Sequence, residues 1–314
     1  MIDLYRASEY ARLHHGKVMV FKVGGSCLAK PGQRAAFARQ ISVIAAFGVR
    51  VVLVHGAGPQ TGVIQEMLGE TPKKVDGRRV TTQTGLRALR MASMGEVNGA
   101  LCACLTSEGA AAVGLCAASA NIVVAKRRPP METSEGTVDF GEVGDVVQVN
   151  PGPILALADA GYIPVVGPPA SDGAQGFFNV NADSVAAELA VALGADKLIL
   201  VSDTPGILSD PKDSQSLISA LSLAQLESLE AQGALQGGMA VKAASMRTAL
   251  KGGVPRVHVV SGLAPDALLG ELYTTQGTGT LVSNESTEAP LATAPITDLP
   301  NKPHKPHTVG KVGK

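Results

Sequence analysis

An α/β fold with a mainly parallel sheet is predicted by three features of this 314-residue chain. Short β-branched runs recur along it, each run stops at a glycine-rich turn, and Ala/Leu-rich stretches of helical period follow the turns. With 45% hydrophobic residues, the chain is long enough for one large domain or for two lobes sharing a cleft.

The first strand is expected over residues 18–23, stopped by Gly24-Gly25. Residues 34–47 read as a helix, 49–54 as a buried strand, and His55-Gly56-Ala57-Gly58-Pro59 as the loop after it. Leu86, Leu89, Val97, Leu101 and Leu105 stand close to helical spacing, which predicts a long helix over 84–108. Two strands or hairpins are expected to flank a loop at 127–137. A second block begins near Gly161 with a strand at 162–166. A helix at 181–193 follows, with Val185, Leu189 and Leu193 on one face. Residues 197–201 form the next buried strand and turn at Ser202-Asp203-Thr204-Pro205-Gly206. Helices at 221–231 and 240–251 and a strand at 257–260 complete a doubly wound pattern with its polar candidates at strand ends. Residues 2–15 are a helix candidate ahead of the first strand. From about Ser286 the composition turns to Pro, Thr, Lys and His without period, so 286–314, which holds His304 and His307, is expected to be a disordered tail.

Charge and cysteine usage narrow the function. The 27 basic and 27 acidic residues cancel, which argues against nucleic acid or an anionic membrane as partner and favours small-molecule chemistry. No apolar run free of Gly, Pro and charge reaches the ~20 residues of a membrane helix. Cys27, Cys102, Cys104 and Cys116 lie in or beside apolar stretches and lack metal-ligand spacing, so they read as small buried hydrophobes in a reducing cytoplasm.

Four pieces carry chemistry. Lys22-Val23-Gly24-Gly25-Ser26 sets a lysine at a strand end beside two glycines, whose backbone N–H groups can approach phosphate oxygens closely. Gly-Gly after a strand also serves as a plain turn. Gly56-Ala57-Gly58 repeats the device after the second strand, and neither loop has Walker or Rossmann spacing. Asn179-Val180-Asn181-Ala182-Asp183 opens a helix. One of its three alternating polar residues is accounted for as an N-cap, and alternation would turn all three to one side, toward a ligand. Gly237-Gly238-Met239-Ala240-Val241-Lys242 places a lysine against a helix dipole, which suggests an anionic ligand.

These motifs, together with His55 to Gln60, Asp76-Gly77-Arg78-Arg79-Val80-Thr81 and Gly141-Glu142-Val143-Gly144, stand in the order seen in acetylglutamate kinases of the amino acid kinase family, which residues 10–283 resemble. The resemblance implies a three-layer αβα sandwich. Its N-lobe, residues 17–175, would bind N-acetyl-L-glutamate, and its C-lobe, residues 176–285, would bind ATP. The γ-phosphoryl group would pass to the side-chain carboxylate, with Mg²⁺ carried in by the nucleotide. Lys22 and Lys242 would flank the moving group and Asp183 would hold them. Gly24, Gly25, Gly56 and Gly58 would donate backbone hydrogen bonds, with Ala57 in the same substrate loop. Arg79 and Asn179 would bind the substrate α-carboxylate, and Asp203, Gly206 and Gly238 would line the ATP site.

Two departures stand out from that pattern: Ala57 where a third glycine is usual, and Gly99 where lysine is common. If residue 57 needs φ > 0 or a close approach, alanine would cost on the order of 1 kcal/mol. The segment Tyr10 to Lys17 resembles that of arginine-inhibited hexamers. Lys17, His258, Glu271, Gly277 and Gly279 fall where such members bind L-arginine, so the resemblance implies a homo-oligomer, either a hexamer built through the N-terminal helices (residues 1–16) or a dimer across a shared sheet. A surface helix and a core histidine are the plain alternatives. Two other functions stand as alternatives: a non-catalytic arginine-sensing subunit, which would be expected to lose Lys22, Asp183 and Lys242, all retained here, and a kinase for a related acyl amino acid such as an aminoadipate derivative.

Overall fold

Eight strands form the central sheet in the computed structural model, which describes residues 4–210, 212–213 and 215–284. The expected tail at 286–314, with His304 and His307, lies outside the described residues. Helix α1 (Leu4–His14) leads into β1 (Val18–Val23), and α2 (Pro31–Ala46) leads back to β2 (Arg50–His55). Helix α3 (Gly58–Met67) and the hairpin β3 (Lys74–Val75) and β4 (Arg78–Arg79) come next. A continuous helical rod follows: α4 (Gln83–Arg90), a π-wound segment Met91–Asn98, and α5 (Gly99–Ser107). Beyond β5 (Ala112–Cys116) come β6 (Val123–Arg127), the hairpin β7 (Met131–Thr133) and β8 (Gly136–Val138), β9 (Gly144–Val149), α6 (Gly152–Asp159) and β10 (Ile163–Gly167). Short strands β11 (Ala170–Ser171) and β12 (Phe177–Phe178) precede α7 (Ala182–Ala192) and β13 (Lys197–Ser202). The chain finishes with β14 (Ala220–Ser222), α8 (Leu223–Ala231), α9 (Gly237–Lys251), β15 (Arg256–Ser261), α10 (Ala267–Tyr273) and β16 (Thr280–Ser283).

The sheet order is β14-β16-β15-β13-β1-β2-β10-β5, and every neighbouring pair is parallel except β15 with β16. Strand alternation sorts its residues into two cores. Val18 and Val20 of β1, Val52 and Val54 of β2, and Leu198 and Leu200 of β13 pack under α6, α7 and α9. Met19, Phe21, Leu53, Ile199 and Val201 pack on the opposite face under α2, α10 and the helical rod. Helices on both faces of one sheet make the three-layer αβα sandwich that the resemblance implies. A third, small cluster of Val75, Phe140 and Val143 joins the two hairpins.

Several boundaries and elements differ from the sequence reading. The helix expected at 221–231 starts at Leu223, because Leu221 pairs with Val282 in the sheet and Ser222 caps the helix in a reciprocal box with Gln225. The loop after β2 turns into α3 within three residues, and its glycines hid the helix. Strands β5 and β16 and helices α6 and α10 had no expectation. Each is short, and β16 is defined by its pairing with β14 and β15. Strands β6 and β9 pair with each other across residues 127–137, which fold into a further hairpin. No helix among the described residues is long and apolar enough to cross a membrane.

Candidate functional site

Lys22 shares the face of Val18 and Val20, so the β1 pleat aims it under α7 and α9 rather than toward α2. Helix α7 starts where Asn181 Oδ1 accepts the N–H groups of Asp183, at 2.7 Å, and Ser184, at 3.4 Å. This cap uses the Asn181 side chain, contrary to the expectation that it would turn to a ligand with its neighbours. It also orients the first turn so that Asp183 meets two cations. Lys22 Nζ lies 3.1 Å from Asp183 Oδ1, and Lys242 Nζ, from α9, lies 3.8 Å from Oδ2. The 3.1 Å contact is an ion pair without hydrogen-bond alignment, so Oδ1 keeps an unfilled acceptor position. Lys22 and Asp183 are 6% and 5% exposed. Two cations against one anion leave this buried cluster with surplus positive charge, which an anionic ligand would neutralise. Burial pushes the Lys242 ammonium below its ordinary pKa, Asp183 and Asp203 pull it up, and Lys22 adds to the fall.

The two glycine loops lie side by side because β1 and β2 pair with Val23 opposite His55. Their contact is close: a Cβ on Gly25 would stand 2.9 Å from Gln60 Oε1 and 3.0 Å from the Gly56 carbonyl oxygen. Gln60 Nε2 donates to the Gly25 carbonyl at 3.0 Å and ties the loops together. Not all four glycines are free to donate, as the sequence reading had expected. Gly24 N–H is committed to Val201 O at 3.3 Å and Gly56 N–H to Val23 O at 2.9 Å, both continuing the sheet. Gly25 and Gly58 N–H have no protein acceptor among the described residues and remain open to an anion. Ala57 has φ −136° and ψ 23° and its side chain lies in the core, so alanine brings no backbone strain there.

His55 is fully buried behind the second loop. Asn98 Nδ2, at the end of the π-wound segment, donates to Val165 O at 2.9 Å and to His55 Nε2 at 3.1 Å. Nε2 must therefore accept, which puts the ring proton on Nδ1, 3.4 Å from the Gly56 carbonyl. Burial lowers the ring pKa to about 4, and it does the same to His14 under α10. Both rings fold neutral and charge in the unfolded chain near pH 6.5. Stability is then fully present above pH 6.5 and falls as pH drops toward 4, by up to about 1.4 kcal/mol per pH unit for each ring. Thermal melts between pH 7 and 4 should show this slope, and His14→Gln should flatten it. An unchanged slope in the variant would contradict the neutral assignment.

Arg79 ends the hairpin of β3 and β4 and reaches back to α3, where Nη1 donates to Gln65 Oε1 at 2.7 Å and Nη2 to Gly58 O at 2.9 Å. Burial lowers its pKa. Asn179 Nδ2 donates to Thr81 Oγ1 at 2.9 Å, Thr81 N–H to Phe140 O and Glu142 N–H to Thr81 O, so three motifs distant in sequence meet beside the loops. Gly141, at φ +72°, is required because a Cβ would fall 2.4 Å from the Thr81 carbonyl oxygen.

Of the residues assigned to nucleotide, Asp203 is exposed at the end of β13, 3.5 Å from Ser26 Oγ. Gly238 lies in the first turn of α9, whose cap residue Gln236 makes no side-chain capping hydrogen bond, so the helix N-terminus is open to an anion beside Lys242. Gly206 is buried, and a Cβ would meet Leu217 and Thr280 at 2.6 Å, so packing alone demands glycine there.

A second cluster lies on the other face of β15. His258 Nδ1 is 2.6 Å from Glu271 Oε1, and Glu271 Oε2 accepts the N–H groups of Thr278 at 2.7 Å and Gly279 at 2.8 Å. Burial works against the Glu271 charge, but these bonds outweigh it and hold the carboxyl below its usual range, while burial keeps His258 low as well. A Cβ on Gly277 would sit 2.8 Å from Glu271 Oε2. Lys17 is exposed just ahead of β1, and among the described residues its side chain makes no hydrogen bond or ion pair to this group. Sequence reasoning missed His55's partner Asn98, and also Gln65 and Glu70, since a single polar residue inside a helix, or in the loop just after one, carries no signal of its tertiary partner.

The sequence matches the model of the amino acid kinase family over residues 17–261. It is 40% identical over 294 residues to the acetylglutamate kinase of Myxococcus xanthus, covering 91% of this chain and 95% of that protein. Among solved structures, it is similar to N-acetylglutamate synthase from Neisseria gonorrhoeae complexed with coenzyme A and N-acetyl-glutamate, with a TM-score of 0.78 and 29% identity. The same synthase complexed with coenzyme A and L-arginine matches with a TM-score of 0.75 and 26% identity. These matches cover 90% of this chain but 63% and 65% of the synthase chains, so this chain spans a little under two thirds of that protein.

Proposed function

Because the chain belongs to the amino acid kinase family, we propose that its buried cationic cluster serves ATP-dependent phosphorylation of the side-chain carboxylate of N-acetyl-L-glutamate, giving an acyl phosphate. The observation that carries this reading is the surplus positive charge of Lys22, Asp183 and Lys242 beneath two touching glycine loops. Both reactants are anions, so their repulsion dominates the barrier, and positioning plus fixed positive charge supply the catalysis. The carboxylate is already ionised at neutral pH, so no general base is needed. Lys22 and Lys242 flank the transferring group, Asp183 holds them, and the Gly25 and Gly58 N–H groups donate to its oxygens. The α9 N-terminus at Gly238 and the Asp203 loop take the nucleotide, whose phosphates carry Mg²⁺. Arg79 and Asn179 receive the α-carboxylate of the acyl amino acid.

Incubation with N-acetyl-L-glutamate, ATP and Mg²⁺ in hydroxylamine should trap a hydroxamate. ATP binding with no hydroxamate would overturn the enzyme reading in favour of a sensor subunit. Regulation by L-arginine is the finer part of the proposal and rests on the cluster of His258, Glu271, Gly277 and Gly279, with Lys17 between α1 and β1. Added L-arginine is expected to suppress hydroxamate formation in the wild type and not in Glu271→Gln, and equal suppression of both would remove that site from consideration. A homo-oligomer, hexamer or dimer, belongs to the same reading, and light scattering with and without L-arginine measures it.

A further inference from the structure

The Arg79 guanidinium is held by a buried neutral amide rather than by a carboxylate. Gln65 is fully buried, on the inner face of α3 with Thr61 and Ile64. Arg79 has only donors, so Gln65 Oε1 must be the acceptor at 2.7 Å, and this fixes Nε2 as a donor. Nε2 donates to Glu70 Oε1 at 2.9 Å, and the same oxygen accepts Thr82 Oγ1 at 2.6 Å. Thr82 Oγ1 in turn accepts Gly85 N–H at 2.9 Å as the cap of α4. Direction is therefore assigned along the whole chain: Arg79 to Gln65, Gln65 to Glu70, Thr82 to Glu70, Gly85 to Thr82. Space is kept for it as well, because a Cβ on Gly85 would stand 3.2 Å from Gln65 Nε2.

We infer that Gln65, backed by Glu70, is the positioning residue for Arg79, fixing the guanidinium while leaving its charge available to a carboxylate of the substrate. The inference rests on the reading of Arg79 as a substrate-carboxylate binder. A guanidinium has five N–H groups, and Gln65 and Gly58 O use two of them. One N–H on each terminal nitrogen and the Nε–H remain, enough for a bidentate fork. A carboxylate at residue 65 could also accept from Arg79, but it would compete with the substrate for the charge and would face Glu70 Oε1 without a donor. Gln65 sets the carboxylate of Glu70 one amide away instead. The amide dipole still presents its negative end to Arg79.

Steady-state kinetics on the full chain separate the possibilities. Gln65→Leu is expected to raise KM for N-acetyl-L-glutamate about tenfold or more, the loss of a hydrogen bond to a charged group, with kcat and KM for ATP within about twofold. Gln65→Glu should raise the same KM further, because it neutralises Arg79 in place. In an Arg79→Ala background, Gln65→Leu should add nothing. Glu70→Gln, on a partly exposed residue, supplies the same test if the core variant fails to fold, with a smaller rise confined to the same KM. An equal rise in both KM values, a proportional fall in kcat, or an undiminished effect in the Arg79→Ala background would overturn the inference and make Gln65 a packing residue. If Arg79→Ala itself leaves KM for N-acetyl-L-glutamate unchanged, the assignment of Arg79 fails instead, and that outcome is read from the single variant alone.

Discussion

Lys242→Ala is expected to lower kcat for hydroxamate formation by about 10²–10³-fold, the loss seen when one preorganised charge-stabilising group is removed from a dry site. The fold should not suffer with it. Residue 242 lies inside the 15-residue helix α9, alanine is the best helix former, and the change removes the unbalanced cation of the cluster. Thermal melting is therefore expected at or slightly above the wild-type temperature. The two readouts together identify a group that works for the reaction and against stability. A kcat within about threefold of wild type would remove Lys242 from the phosphoryl-transfer machinery.

Asp183→Asn should fail on both counts. The amide is nearly isosteric and keeps the α7 backbone and the Asn181 cap, but it leaves Lys22 and Lys242 buried without their counter-charge. Breaking a buried pair by removing one partner costs about 3–5 kcal/mol. The pH dependence carries a further signature. Asp183 is the largest influence holding the Lys242 pKa up against burial, so its loss lets that pKa fall further. Lys242 then loses its proton at lower pH, and the alkaline limb of the activity profile should move down in pH relative to wild type. An unchanged melting temperature together with an unchanged profile would contradict the ion cluster.

Much of the site was legible as residue type and order. Lysine beside paired glycines at a strand end marked a candidate anion site, although the same pair also serves as a plain turn. The lead-in to α7 announced a polar helix start, and the period of residues 181–193 placed it. The division of labour inside these motifs was not legible. Asn181 caps the helix, Asn179 holds Thr81, and Asp183 alone meets the lysines, because a cap is chosen by backbone geometry at the turn rather than by residue type. The glycines divide in a similar way. Gly24 and Gly56 spend their N–H groups continuing the sheet, and Gly25 and Gly58 keep theirs, a distinction set by strand register with β13 and β1. Gln65 is the clearest limit, since a glutamine in a short helix reads as a solvated side chain until Arg79 folds onto it.

The sequence by itself determined the parallel α/β class and the two glycine loops, because periodicity and turn chemistry are local properties that survive without knowledge of the fold, while the charged triad was expected only from the family resemblance. Only the tertiary structure decided that β16 runs against β15, that Gly25 and Gly58 are the open donors, and that Arg79 is oriented through Gln65. Each of these depends on which strand or helix face becomes a neighbour, and burial then forces every polar group to find its partner across that contact.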